Sequence, residues 1–336
     1  MTESNHERQA AAVLFLHAQT SLHPGSGTAL GVVDLPVQRE RHTQWPLIPG
    51  SALKGILRDA CREKAKRQFQ DDSDDTPPAK RRTRRQKANE DDAELVAAFG
   101  PGRISGEAST HAGAISVCDA RILAFPVRSL KGVFAWVTCP AVLGRLARDL
   151  GLARQAGLPS VPEFAPDERE QAACPKSSPL LLQDGGNERL VLEEFEFRRV
   201  ADADLWAAWL AQRAVADPFT QNRLRTHLVV LQDNEFTHFV RHATEVVARI
   251  GLDYEKKTVK NGALFYQEFL PPETLFYSLV FAADSRCENY KATAGDLLKY
   301  VGDRLQEVPV LQIGGDETTG KGLCAVRLVT AEEKSR

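Results

Sequence analysis

Leu311-Gln312-Ile313-Gly314-Gly315-Asp316-Glu317-Thr318-Thr319-Gly320-Lys321-Gly322, running straight into Leu323-Cys324-Ala325-Val326-Arg327-Leu328-Val329, is the stretch on which the choice of fold turns. From Gly315 it reads G-x-x-x-x-G-K-G, one residue away from the phosphate-binding loop of nucleotide hydrolases, G-x-x-x-x-G-K-[ST]. Gly322 stands where that loop needs a hydroxyl to hold magnesium, and the residues that follow read as a strand where the loop requires a helix. The nucleotide-hydrolase reading is therefore rejected. The glycines keep a physical use, since they let backbone N–H groups come close to a phosphate while Lys321 adds charge. The competing reading is a Gly-rich hairpin with no ligand.

Two other segments have the same character. In Pro49-Gly50-Ser51-Ala52-Leu53-Lys54-Gly55 a helix starts near Ser51, with Leu53, Ile56, Leu57, Ala60 and Cys61 on one face and Ser51 as N-cap. Free N–H groups and the helix dipole favour an anion at that end, helped by Lys54, and Gly55 removes a side chain from the path of an approaching backbone. An ordinary capped helix with a solvated lysine is the alternative. In residues 23–42, HPGSGTALGVVDLPVQRERH, Asp34 lies among apolar residues within strong turn signals. A carboxylate so placed can bind a hard cation or orient a nucleophile. Arg39 and Arg41 alternate, so an extended chain puts both on one face toward phosphates. The bland alternative makes Asp34 a turn cap and the arginines surface ion-pair partners.

The rest of the chain predicts a mixed α+β domain with an antiparallel sheet. Strands are expected at 12–20, 114–118, 121–125, 132–139, 262–269, 275–283 and 323–330, and helices at 140–151, 203–215, 234–249 and 292–305. Residues 63–94 hold almost no apolar side chains and alternate acidic and basic blocks around Pro77-Pro78; they are expected to form a disordered insertion, with its ends helical. Residues 155–189, rich in Pro, Gly and polar groups, are expected to be a loop or hairpin insertion in a single domain spanning 1–336.

A net charge of −2 argues weakly against a protein coated in nucleic acid on every side, but leaves room for a local basic groove. None of the six cysteines forms a Cys-x-x-Cys pair, so they read as buried small hydrophobes and not as a zinc site. His238 and His242 sit four apart on a helical stretch, with no Glu in an H-E-x-x-H position and no third ligand in view, and read as structural. The basic run Lys80–Lys87 is open to two readings, a contact with RNA or, as is more common, a solvated segment balanced by nearby aspartates. No apolar run approaches the ~20 residues of a membrane helix. The first residues lack the basic start and cleavage site of a signal peptide, so a cytoplasmic protein is expected.

Taken together, the segments HPGSGTALGVVDLPVQRERHT, PLIPGSALKGILRD, AGAISVCDARILAFPVRSLKGVFAWVTCP, TEVVARI, LPPETLFYSL and LQIGGDETTGKG resemble the RAMP superfamily of CRISPR-associated proteins. Within it they resemble the repeating backbone subunit of the type III-B (Cmr) effector complex. The likeness spans nearly the whole chain but leaves out 63–94 and 155–189. It implies a modified ferredoxin-like (RRM-like) core with a thumb hairpin and finger-like insertions. Copies would stack as a filament along a guide CRISPR RNA, beside other Cmr subunits. Each thumb would disrupt the guide–target duplex, and the target RNA would be cut there.

The resemblance makes Asp34, of the GVVD segment, the cutting residue. Splayed RNA supplies its own nucleophile, the ribose 2′-OH, once its backbone is held in line. A divalent cation, magnesium or manganese, near Asp34 would neutralise charge on the phosphate, and no organic cofactor is implied. His23 is a candidate general acid or base, with turn packing before Pro24 as the other reading. Glu268, in Tyr266-Gln267-Glu268-Phe269, is a second acidic candidate, although Gln267 and Phe269 depart from the family's pattern there. Guide phosphates would fall to Ser51, Lys54 and the Gly314–Gly322 loop with Gly315 and Lys321, leaving sequence specificity to base pairing. Two further readings stay open: a guide-RNA scaffold that does not cut, and a RAMP nuclease that processes CRISPR transcripts.

Overall fold

The computed structural model describes residues 9–28, 33–73, 76–77, 80–102, 111–165, 167–288 and 290–330. Gly31 and Val32 of the GVVD segment fall outside them; Asp34 falls within.

Strand β1, Gln9–Ala18, is the centre of the molecule. It is buried at every position from Ala12 to Ala18. Because neighbouring side chains on a strand point to opposite faces, both faces of β1 must be covered. It is followed by helix α1 (Gly50–Ala65) and strand β4 (Ala120–Arg128), and much later by β13 (Leu275–Ala283), helix α8 (Ala294–Glu307) and β15 (Leu323–Thr330). These strands lie in the order β15-β1-β13-β4. β13 runs antiparallel to both β1 and β4, and β15 runs antiparallel to β1. Last, first, third, second, with one helix in each half, is the βαββαβ order of a ferredoxin-like core. The predicted α+β, RRM-like core is therefore present. Helix α8 packs on β1, β13 and β15 and against α1.

Two short strands attach to this core: β2 (Leu47–Ile48) on β4 and β3 (Ile115–Val117) on β13. Beyond β4 the sheet continues through the β4–β5 hairpin (β5, Phe134–Thr138). After β5 come helix α4 (Pro140–Leu152) and strands β6 (Gln171–Ala173), β7 (Leu182–Asp184), β8 (Asn187–Leu192) and β9 (Phe195–Ala201). Helices α5 (Asp204–Ala214) and α6 (Pro218–His227) lead to β10 (Leu228–Leu231), which pairs parallel to β5. Trp209 of α5 meets Phe15 of β1 edge to face, covering the second face of the central strand. With β14 (Val310–Gln312), the sheet has 13 strands among the described residues, from β14 at one edge to β7 at the other.

Helix α7 (Asp233–His242) ends seven residues before the expected 249, and Glu245–Leu252 is instead strand β11. Ala243 closes the helix by donating its N–H to Phe239 O at 2.8 Å. The β-branched run Val246-Val247 and Ile250 then pairs antiparallel with β12 (Val259–Phe269). β11 and β12 form a two-stranded sheet of their own, the thumb hairpin.

Residues 63–94, expected to form a disordered insertion with helical ends, carry at one end the close of α1 and a 3-10 turn at Lys66–Gln68, and at the other helix α2 (Arg84–Asp91) and the start of helix α3 (Ala93–Phe99); 74–75 and 78–79 lie outside the described residues. Two features hold these ends. Opposite charges are near enough to pair, as in Arg82 with Glu90 and Asp91, and Lys87 with Asp72. Thr83 and Gln86 form a reciprocal capping box at the start of α2. Residues 155–189, of which 166 lies outside the described residues, hold the short strands β6 and β7 among irregular stretches and end in the β7–β8 turn.

Candidate nucleic-acid interface

Three chain segments meet at the foot of the hairpin: the turn after β1, the stretch Asp34–Arg39, and the Gly-rich loop between β14 and β15. Asp34 is half-buried and accepts the Tyr266 N–H through Oδ2 at 2.7 Å. Leu35 donates its N–H to Tyr266 O at 3.0 Å, and Glu268 donates its own to Leu35 O at 3.0 Å. The residues after Asp34 thus run beside β12 as a short added strand. The carboxylate is fixed at the point where the hairpin leaves the body of the protein.

Glu268 is 6% exposed, and its carboxylate takes three donors. These are the Val37 N–H at 3.0 Å, Arg39 Nη2 at 2.5 Å and Thr244 Oγ1 at 2.9 Å. Arg39 also donates to Gln44 O and Val240 O. A carboxylate so occupied ties the Asp34 stretch, the end of α7 and the hairpin together. The expectation that Arg39 and Arg41 share one phosphate-facing side is not met. Arg39 turns inward to Glu268, while Arg41 sits exposed in a turn over 41–43 that breaks the alternation.

His23 is 8% exposed and packs on Phe269, with ring centroids 5.5 Å apart. Its Nδ1 lies 2.7 Å from Glu268 O. A carbonyl oxygen only accepts, so Nδ1 carries the proton and Nε2 is left as the basic nitrogen. The Gly-rich loop closes over the backbone of His23: Gly315 donates its N–H to His23 O at 3.1 Å. Gly314 has φ +79°, and a Cβ there would stand 2.3 Å from that same oxygen. The glycine is required by the chain's own close packing, whatever ligand it also meets. Lys321 is turned inward, with Nζ 3.2 Å from Ser21 Oγ and over the Phe269 ring.

Asp316, at φ +65°, joins this loop to the hairpin through Arg249 at 2.5 Å and Gln267 at 2.6 Å. Sequence reading passed over Asp316, Arg249, Gln267 and Thr244. The available signal was a charged residue inside a Gly-rich turn, and nothing in the local pattern says which distant cation meets it.

Ser51 and Lys54 lie on α1; among the described residues no hydrogen bond or ion pair links them to the hairpin foot. Ser51 is not the N-cap: the helix begins at Gly50 with Pro49 before it. The Gly50 N–H is taken by Asp119 Oδ1 at 2.7 Å, so the chain's own carboxylate holds the first anion position of the helix. Lys54 is half-buried, and burial, then Arg58 and Arg286, hold its pKa below the usual lysine range.

Among the described residues there is no group of three or more His, Cys, Asp and Glu that could hold a metal ion. Asp34 gives one oxygen to Tyr266, and Glu268 is fully engaged. The described residues thus offer Asp34 no second protein carboxylate for a shared cation. His238 and His242, with ring centroids 4.9 Å apart, belong to the ring stack of Phe195 and Phe239.

Residues 15–325 match the RAMP superfamily, and the chain belongs to that family. It is 36% identical over 323 residues, 95% of each chain, to the CRISPR system Cmr endoribonuclease Cmr4 of Pyrococcus furiosus. The crystal structure of oligomeric Cmr4 from Pyrococcus furiosus superimposes with a TM-score of 0.62 at 29% identity, covering 95% of this chain and 97% of that one. A cryo-EM structure of type III-B Cmr-beta bound to cognate target RNA shares the fold, with a TM-score of 0.64 at 21% identity over 95% and 96% of the two chains.

Proposed function

We propose that this protein is the guide-RNA-binding backbone subunit of a type III-B CRISPR effector complex and cuts complementary target RNA. Copies of the chain would stack along the guide beside the other Cmr subunits, in the cytoplasm. Among the described residues no helix is long and apolar enough to cross a membrane.

One observation carries the reading: Asp34 is bonded to the foot of a hairpin whose outer part is apolar and exposed. Val246, Ile250, Leu252, Val259, Leu264 and Tyr266 are each 42–54% exposed. The pairing of β11 with β12 puts Val246, Ile250, Leu264 and Tyr266 on one face, and Leu252 pairs with Val259 beyond a shift in register. Such a face has no partner among the described residues and suits unstacked bases. A hairpin that parts a duplex splays the RNA backbone at its base, where Asp34 waits.

The reaction that follows is attack of a ribose 2′-OH on the adjacent phosphorus, with formation of a 2′,3′-cyclic phosphate and departure of the 5′-oxygen, which takes up a proton from water to leave as a 5′-hydroxyl. Asp34 orients the 2′-OH and takes its proton through the oxygen not used by Tyr266. Glu268, proposed from sequence as a second catalytic acid, is a positioning residue here. His23, with Nε2 basic, supports the Gly-rich loop and is the second candidate for proton transfer. A divalent cation shared between Asp34 and the RNA stays part of the proposal, tested by chelation with EDTA.

The test assembles the complex with guide RNA and compares wild type with Asp34→Ala on complementary RNA. Retained target binding with loss of the regularly spaced cuts is expected. Equal cutting by both proteins would overturn the assignment and leave a guide-RNA scaffold.

A further inference from the structure

Four residues of the Gly-rich loop between β14 and β15 stand at positive φ: Gly314 (+79°), Asp316 (+65°), Gly320 (+74°) and Gly322 (+81°). Three are glycines, which adopt that backbone without strain. Asp316 is the exception. A side chain in this conformation is destabilising where a fourth glycine would not be, so what the loop gains at this position is the carboxylate.

Both oxygens of that carboxylate are taken up by the hairpin. Oδ1 accepts from Arg249 Nη2 at 2.5 Å and Oδ2 from Gln267 Nε2 at 2.6 Å. Arg249 is on β11 and Gln267 on β12, so one side chain spans both strands. Val247 pairs with Gln267 and Arg249 with Phe265, which places the two donors on one face; side-chain alternation puts Val246, Ile250, Leu264 and Tyr266 on the other. Asp316 therefore grips the hairpin from the side opposite its exposed apolar residues. Gln267 is 4% exposed and directly follows Tyr266, whose N–H is bonded to Asp34. The grip falls one residue from the contact that fixes the Asp34 carboxylate.

The loop is itself anchored. The Asp316 carbonyl accepts the Thr319 and Lys321 N–H groups at 3.0 and 3.2 Å and the Thr319 hydroxyl at 2.9 Å. Gly315 is tied to His23, and Gly322 donates its N–H to Ser21 O at 2.9 Å, both in the turn after β1. Lys321 adds a second contact on the same hairpin face, over the Phe269 ring. A hairpin without this bracket could swing about its foot and shift the splayed strand relative to Asp34.

We propose that Asp316 is a positioning residue for cleavage: by holding β11 and β12 at a fixed angle to the body, it selects the phosphate that Asp34 meets. The inference rests on the RNA-cutting function proposed above. Asp316 touches no reacting atom and acts through Gln267 and Arg249.

The experiment uses the complex assembled with guide RNA and reads target affinity, the single-turnover cutting rate and the cut positions at single-nucleotide resolution. Asp316→Gly removes the carboxylate but keeps a residue at home at positive φ, so unfolding should stay close to wild type. Target affinity is expected to be unchanged, while the rate falls about tenfold, because small misplacements of reacting groups are costly. New cuts should appear at the phosphates next to the wild-type sites. Arg249→Ala is expected to give the same spread and to add little to Asp316→Gly, since both remove one contact. Asp316→Asn keeps an acceptor oxygen for one partner and should recover part of the rate and of the precision. Cuts at the wild-type rate and positions in both Asp316→Gly and Arg249→Ala would overturn the positioning role. So would loss of target binding in both, which would make the contact structural only. Asp34→Ala, run alongside, separates the two levels. If it abolishes cutting while the Asp316 and Arg249 variants cut as wild type does, the proposed function stands without the clamp. If Asp34→Ala also cuts as wild type does, function and inference fall together.

Discussion

Strands β1 and β11 are written in similar residues, AAVLFLHA against EVVARIGL, yet they have opposite surroundings. β1 is sealed on both faces, with Phe15 1% exposed; β11 leaves Val246, Ile250 and Leu252 about half exposed. Folding of this chain accounts for the apolar residues of β1. It does not account for those of β11, which lie on a separate two-stranded sheet joined to the body near its foot. Apolar side chains that the fold leaves uncovered point to a surface covered by something else.

That contrast can be broken most directly at β1. Phe15→Ala should cost about 3–5 kcal/mol of stability, read by thermal or denaturant unfolding, because it leaves a cavity between the sheet and Trp209. Glu268→Ala comes next, at about 3 kcal/mol, since it strands the mostly buried Arg39 guanidinium. Its separate mark is that cutting falls with Asp34 intact, and Glu268→Gln restores part of the stability but little of the cutting. Ile250→Ser with Leu264→Ser should shift unfolding by no more than about 0.5 kcal/mol while sharply reducing target cleavage in the assembled complex. A loss of stability there as large as at Phe15 would show that the hairpin face is core after all.

The smallest effect concerns Cys324 of β15, beside β1, whose thiol burial pushes up to about 12. An unfolded cysteine ionises near pH 8.5. The folded form therefore holds its proton where the unfolded form releases it, and this contribution to stability is complete below about pH 8.5 and is lost as pH rises toward 12. Melting temperatures measured from pH 8 to 10.5 should fall less steeply for Cys324→Ala than for wild type.

Much of this was readable in the residues. The apolar runs of β1, β13 and β15 and the periodicity of α1, α4 and α8 gave the core, and the strand after Gly322 excluded a nucleotide hydrolase. Thr244–Leu252 misled because the apolar period of α7 runs smoothly into it, and only pairing with β12, some 20 residues away, makes it a strand. How the charges of 63–94 pair was not legible in composition, because charge counting ignores which charges meet. At the site, Asp34 was legible as an unusual carboxylate in an apolar turn. The role of Glu268 was not, because its three partners come from positions 37, 39 and 244 and exist only in the folded chain.

The sheet ends at both margins in strands of three residues, β14 and β7. Margins so short offer little backbone for a neighbouring molecule to extend, which is how native sheets avoid fusing edge to edge. Among the described residues the longer free edges are those of β11 and β12, set apart on the two-stranded hairpin. The main sheet is thereby kept from growing strand by strand from one copy to the next.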